Sequence, residues 1–241
     1  MPVRWDEIDV DGSKMRVYVG VPDAPRCAGV LVCHHGPGMD AFMLDVVHRL
    51  FRRGYAVAAP DLYHRQPADV TDTYARMGML SDEQIVTDMD AGLAHLRGLS
   101  ECAVGPVGVT GFCMGGRTAF MMAGVRDDLA AAAVFYGGRM KTSFGTGSGG
   151  GDVSTTPFDL LAQIRCPVVG FFGDEDADPS PADVDALSAE LARHARPHEF
   201  HRYRDAGHAF LNFTNPQRYR PRAAAAAWAE MLAFFGAHLR P

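Results

Sequence analysis

Cysteine, aspartate and histidine follow one another along this chain in an order and setting that could build a nucleophile. The cysteine lies in Val107-Gly108-Val109-Thr110-Gly111-Phe112-Cys113-Met114-Gly115-Gly116. An apolar, β-branched run stops at Gly111. Cys113 follows, then two glycines, then the helix-compatible run Arg117 to Ala123. The spacing predicts strand, sharp turn and helix. Glycines on both sides permit a turn that side chains would block. The residue at the tip, Cys113, is then thrust out at the carboxyl end of a sheet, which is a nucleophile elbow. The chemistry this implies is thiolate attack on an electrophilic carbon.

A thiol nucleophile needs a base, and the base needs an acid to orient it. Downstream, the apolar run Val168 to Phe172 ends in Gly173-Asp174-Glu175-Asp176-Ala177-Asp178-Pro179. A carboxylate just past a strand end shares a rim with the elbow. Asp176, in a Gly-x-x-Asp turn, is the first choice, with Asp174 and Asp178 as nearby competitors. The histidine comes next: Asp205-Ala206-Gly207-His208-Ala209-Phe210 sets His208 on a glycine-containing loop. His194, His198, His201 and His238 lie in expected helices or beside a strand. Two backbone N–H groups are needed for the oxyanion. Met114 supplies one at a helix start. The other falls in Cys33-His34-His35-Gly36-Pro37-Gly38-Met39, where Gly36 is the donor because Pro37 has no N–H. Cys33-His34-His35 is not a metal cluster, since neighbours on a strand face opposite ways.

Strands and helices must position these residues. Glu7 to Val10 and Met15 to Val19 flank Asp11-Gly12, a hairpin signal. Gly29 to His34, Tyr55 to Ala59, Ala131 to Tyr136, Val168 to Phe172 and Glu199 to Tyr203 have strand character. Helical spacing runs over Ala41 to Arg52, from the Ser81 capping signal to about Leu99, over Pro181 to Ala195, and over Pro216 to Leu239. Alternation of this kind gives an α/β protein, a mostly parallel sheet with helices on both faces. No second-domain linker appears, so residues 1–241 form one domain. Thr142 to Thr156 is rich in Gly, Ser and Thr. It is either a surface loop or a flap near the site.

The 241 residues carry a net charge of −6. That balance argues against a nucleic-acid partner and against attraction to an anionic membrane. No apolar run reaches the ~18 residues of a membrane span. The N-terminus lacks a leader pattern, and the five cysteines are scattered. Cys27, Cys102 and Cys166 read as buried, small apolar residues, and free thiols fit a cytoplasmic location. Met77, Met79, Met89, Met121 and Met122 could line an adaptable pocket or simply pack.

Gly111 to Gly116, Pro60-Asp61-Leu62-Tyr63, Gly173 to Asp176 and Gly207-His208-Ala209-Phe210 together resemble the dienelactone hydrolase family. The resemblance runs from about residue 28 to 212. It implies an α/β-hydrolase fold with a sheet of about eight strands, a Cys-Asp-His triad and no cofactor. It also implies hydrolysis of a small-molecule ester or lactone through an acyl-cysteine. Related enzymes place a glutamate against the resting thiol; that slot aligns with His35 here, and an imidazolium there would favour the thiolate. They also clamp a substrate carboxylate with two arginines. Arg65 matches one, whereas the other position holds Asn212; Arg218, Arg220 or Arg222 could compensate. A carboxylesterase or thioesterase without dienelactone activity is the nearest rival. A non-catalytic binding protein on the same fold is the other. Monomer and homodimer both stay open.

Overall fold

The computed structural model describes residues 3–145 and 155–240. The chain opens with a hairpin, β1 (Val3–Val10) and β2 (Ser13–Gly20). Asp11 and Gly12 both take positive φ, 51° and 77°, as a tight turn matched to strand twist requires. Then come β3 (Arg26–Cys33), α1 (Ala41–Phe51), β4 (Ala56–Pro60), α2 (Thr73–Gly78) and α3 (Asp82–Arg97). The elbow pair is β5 (Ala103–Phe112) and α4 (Met114–Val125). The rest is β6 (Ala131–Phe135), α5 (Pro157–Leu160) with a 3-10 turn after it, β7 (Val168–Gly173), α6 (Pro181–Arg193), β8 (His198–Tyr203) and α7 (Pro221–His238).

All eight strands join one sheet in the order β1-β2-β4-β3-β5-β6-β7-β8. β1, β2 and β4 pair antiparallel, and every pairing from β4 across to β8 is parallel. Period-2 alternation splits the core between two faces. Leu31 and Cys33 of β3 pack with α3, α4 and α6 on one face. Val30 and Val32 pack with α1 and α7 on the other. In α1 the apolar residues Phe42, Met43, Val46, Val47 and Leu50 follow helical spacing and are all buried. Each such side chain contributes about 1.5–3 kcal/mol of burial. The expected fold class is therefore what the chain forms.

Three local expectations need correction. The last helix starts at Pro221, not Pro216. Asn212 Oδ1 accepts from the Thr214 N–H and hydroxyl, and Asn215 carries turns to Arg218 and Tyr219, so the stretch before Pro221 is spent in turns. The short helix α2 has no buried residue and so left no amphipathic pattern to find. Cys27 and Cys102 are not free thiols: they form a disulfide joining the start of β3 to the entry of β5. That pairing removes the free-thiol argument for a reducing compartment. Most of the glycine-rich segment, residues 146–154, lies outside the described residues. Among the described residues, no helix is long and apolar enough to cross a membrane.

Candidate active site

The parallel strands deliver their carboxyl ends to one rim, and the elbow stands on it. Cys113 has φ 57° and ψ −118°, a conformation that costs a non-glycine residue energy. The turn is possible only because its neighbours lack side chains. A Cβ on Gly111 would lie 1.9 Å from the Gly115 carbonyl oxygen. One on Gly115 would lie 2.0 Å from that of Cys33. α4 is buried from Met114 to Gly124, which locks the elbow against the sheet.

The acidic turn after β7 sorts its three aspartates by partner. Asp176 Oδ2 lies 2.8 Å from His208 Nδ1, and its Oδ1 accepts the Asp178 N–H at 2.9 Å. Asp174 pairs with Arg202 at 2.6 Å. Asp178 accepts the Arg139 N–H at 2.9 Å. Gly173 lets this turn close on the histidine loop, since a Cβ there would meet the Ala206 carbonyl oxygen at 2.2 Å. His208 follows β8, backed by the Tyr136 ring edge-on at 5.3 Å.

The electrostatics separate Cys113 from the other two free thiols. Burial pushes Cys33 far up and Cys166 up to about 11. Burial opposes ionisation of Cys113 as well. The His208 ring, by hydrogen bond and by charge, and the N–H groups of Met114 and Gly36 outweigh it, so its pKa falls below the ordinary 9.0. Burial also opposes charge on His208. Hydrogen bonds to Asp176 and Cys113 overcome that and raise it to about 10. The arrangement supports a resting thiolate–imidazolium pair. It brings together Cys113, Asp176, His208, Gly36 and Met114.

Behind that set lies His34. It is fully buried, and burial lowers its pKa to about 4, so it is neutral at pH 7. Its Nε2 accepts the Leu62 N–H at 3.1 Å, which leaves the proton on Nδ1, and Nδ1 donates to the His35 carbonyl at 2.7 Å. That carbonyl and the Gly36 N–H belong to one peptide group. His34 therefore fixes the plane of the peptide whose N–H is directed at Cys113. Tyr63 holds the next peptide by donating to the Gly36 carbonyl at 2.6 Å. The pair of adjacent histidines was visible in the sequence, but the division of labour between them was not.

His35 and Arg65 have partners of their own. His35 Nε2 lies 3.0 Å from Asp40 Oδ1, and its ring packs on Phe42. The groups acting on the Cys113 sulfur are His208, Met114 and Gly36 instead. Asp40 also caps α1 by accepting the Met43 N–H. Arg65 Nη1 lies 2.6 Å from both oxygens of Asp88, a residue only 1% exposed. His64 joins the same cluster, bridging Asp88 and Ser13. Arg65 thus closes a buried ion pair between the β4 exit and α3 and does not line the catalytic cleft.

That cleft has a volume of about 600 Å³. Besides the triad and Gly36, it is lined by Tyr74 and Met77 of α2, Phe144, Arg139 and Arg218. Of the five methionines noted in the sequence, only Met77 reaches it. Among the described residues, no cluster of His, Cys, Asp or Glu could hold a metal ion.

The chain is similar to several known proteins. A Methylorubrum extorquens protein named "Putative carboxymethylenebutenolidase" is 28% identical over 86% of this chain and 70% of its own length. A Bradyrhizobium protein named "Probable 2-oxo-3-(5-oxofuran-2-ylidene)propanoate lactonase" is 25% identical over 98% of this chain and 94% of its own. A crystal structure titled "Putative Dienelactone Hydrolase" from Klebsiella pneumoniae superposes with a TM-score of 0.83 at 25% identity, covering 97% of this chain and 98% of that one. The sequence profile of the dienelactone hydrolase family matches residues 15–239, and the chain belongs to that family of hydrolases acting on esters or lactones.

Proposed function

We propose that the protein hydrolyses a small ester, lactone or thioester through an acyl-cysteine intermediate. The observation that carries this is the convergence of three groups on the Cys113 sulfur: the His208 ring and the N–H groups of Gly36 and Met114. The thiolate attacks the carbonyl carbon, and the carbonyl π electrons move to oxygen. The two N–H groups receive that oxyanion, each worth roughly 3 kcal/mol in the transition state. Collapse breaks the bond to the leaving atom, which takes the proton held on His208 Nε2. His208, now neutral, removes a proton from water as it attacks the acyl-cysteine. The second collapse expels the thiolate and releases the acid. Asp176 holds the imidazole in the tautomer both steps need.

Tyr74, Met77 and Phe144 give the cleft an apolar wall suited to an uncharged acyl group. With Arg65 committed to Asp88 and an amide at Asn212, the family's two-arginine carboxylate clamp is not reproduced. The test is turnover of four substrates by the wild type and Cys113→Ala: a carboxylated dienelactone, a neutral lactone, a short aryl ester and a thioester. Hydrolysis that disappears in the variant is expected, with neutral substrates preferred over the dienelactone. A folded wild type with an alkylatable Cys113 and no turnover on any of them contradicts the proposal.

A further inference from the structure

The catalytic cleft does not end at His208. A hollow of about 280 Å³ adjoins it and shares Asp176, Ala177, His208 and Arg218 as lining. Beyond that, a hollow of about 650 Å³ shares Arg220. This last hollow is lined by Arg202, Arg204, Arg220 and Arg222 against a single acid, Asp205. The arginines are not equally free. Arg202 pairs with Asp174 and Asp185, and Arg220 is held by the backbone carbonyls of Asp205 and Gln217. Among the described residues, Arg204, Arg218 and Arg222 have no carboxylate partner. Glu175 lies beside the middle hollow and offsets part of the charge there. The surplus is therefore greatest at the far end, in a chain whose net charge is −6.

Chemistry decides which half of a substrate would run along this trough. The leaving atom must come within hydrogen-bond reach of His208, which protonates it. The leaving group thus departs on the histidine side of Cys113, where the trough begins. The far hollow falls in the size range of small-molecule sites, larger than one carboxylate needs. Guanidinium groups spaced along it suit several phosphate oxygens, and Tyr203 adds an aromatic wall.

We infer that the trough binds the leaving-group half of the substrate, and that this half carries phosphates, as in a thioester of a phosphorylated nucleotide thiol. The inference rests on the acyl-cysteine proposal above. Two readouts test it. The first is calorimetric titration of the wild type with adenosine 3′,5′-bisphosphate. Saturable binding is expected, weakened about tenfold by Arg204→Ala/Arg222→Ala and by raised salt. Absence of saturable binding overturns the inference. The second compares acetyl-coenzyme A with the neutral S-acetyl-N-acetylcysteamine, which presents the same thioester. The wild type should favour the phosphorylated substrate about tenfold or more in kcat/KM, through KM. The double variant should lose that preference and keep its rate on the neutral thioester. Equal kcat/KM for the two in the wild type overturns the leaving-group assignment even if the bisphosphate binds. Cys113-dependent turnover of the neutral thioester alone defeats only this inference. Loss of all turnover defeats the acyl-cysteine proposal itself.

Discussion

At the residue scale, reactivity turns on proton positions. Cys113 is lowered and His208 is raised, so the ion pair persists between the two values and fails outside them. As pH falls through the Cys113 pKa the thiolate is protonated; as pH rises through about 10 His208 loses the proton meant for the leaving group. A kcat/KM profile with an acid limb below the ordinary thiol value and an alkaline fall near about 10 is expected. In Asp176→Asn the alkaline limb should move down, and kcat should drop by as much as about 10⁴-fold, as loss of the orienting carboxylate does elsewhere. His34→Leu should lower kcat about tenfold with little change in KM, less than the 10²–10³ of deleting a donor outright. The order Cys113, Asp176, His208 was legible because each residue sits in a turn written by its own neighbours. The choice of Asp176 over Asp174 and Asp178 rested on the Gly-x-x-Asp turn alone. They share one turn, and only Arg202, the Arg139 N–H and His208 tell them apart. The partners of His35 and Arg65 were hidden for the same reason: they are set by folding, and Asp88 lies 23 residues from Arg65.

At the element scale, the elbow and the β4 exit make opposite demands. Gly115→Ala would force a Cβ to within 2.0 Å of the Cys33 carbonyl oxygen, a backbone atom that cannot step aside. A loss of about 3 kcal/mol or more in urea denaturation is expected, together with loss of activity. Arg65→Ala should leave activity on a carboxylated substrate with an almost unchanged KM. It should cost about 1.5–3 kcal/mol of stability, because it leaves the buried Asp88 carboxylate with His64 as its remaining partner. An unchanged melting temperature with a large rise in KM would restore Arg65 as a substrate clamp. Strands β3 to β8 and helices α1, α3, α4 and α6 were readable to within a few residues from apolar period and capping residues. α2 was not, since none of its residues is fully buried; yet it supplies Tyr74 and Met77 to the cleft.

At the scale of the whole molecule, one sheet gathers the carboxyl ends of β3, β5, β7 and β8 on a rim. Residues from Gly36 to His208 meet there. Alternation of strands and helices made that rim predictable. Pairing of Cys27 with Cys102, 75 residues apart, was not, because the two cysteines meet only once β3 and β5 lie side by side. Closing a loop of that length should stabilise the oxidised chain by about 4.5 kcal/mol on the chain-entropy scale. Denaturation midpoints with and without a reductant measure it; coincident midpoints would show that the pair contributes nothing. The central claim remains the acyl-cysteine, and the most direct measurement is mass spectrometry of the enzyme quenched during turnover of an aryl acetate. A protein heavier by one acetyl group is expected, mapped to the Cys113 peptide and absent from Cys113→Ala. Sustained turnover by Cys113→Ala, or an acetyl group on another residue with Cys113 unmodified, would contradict it.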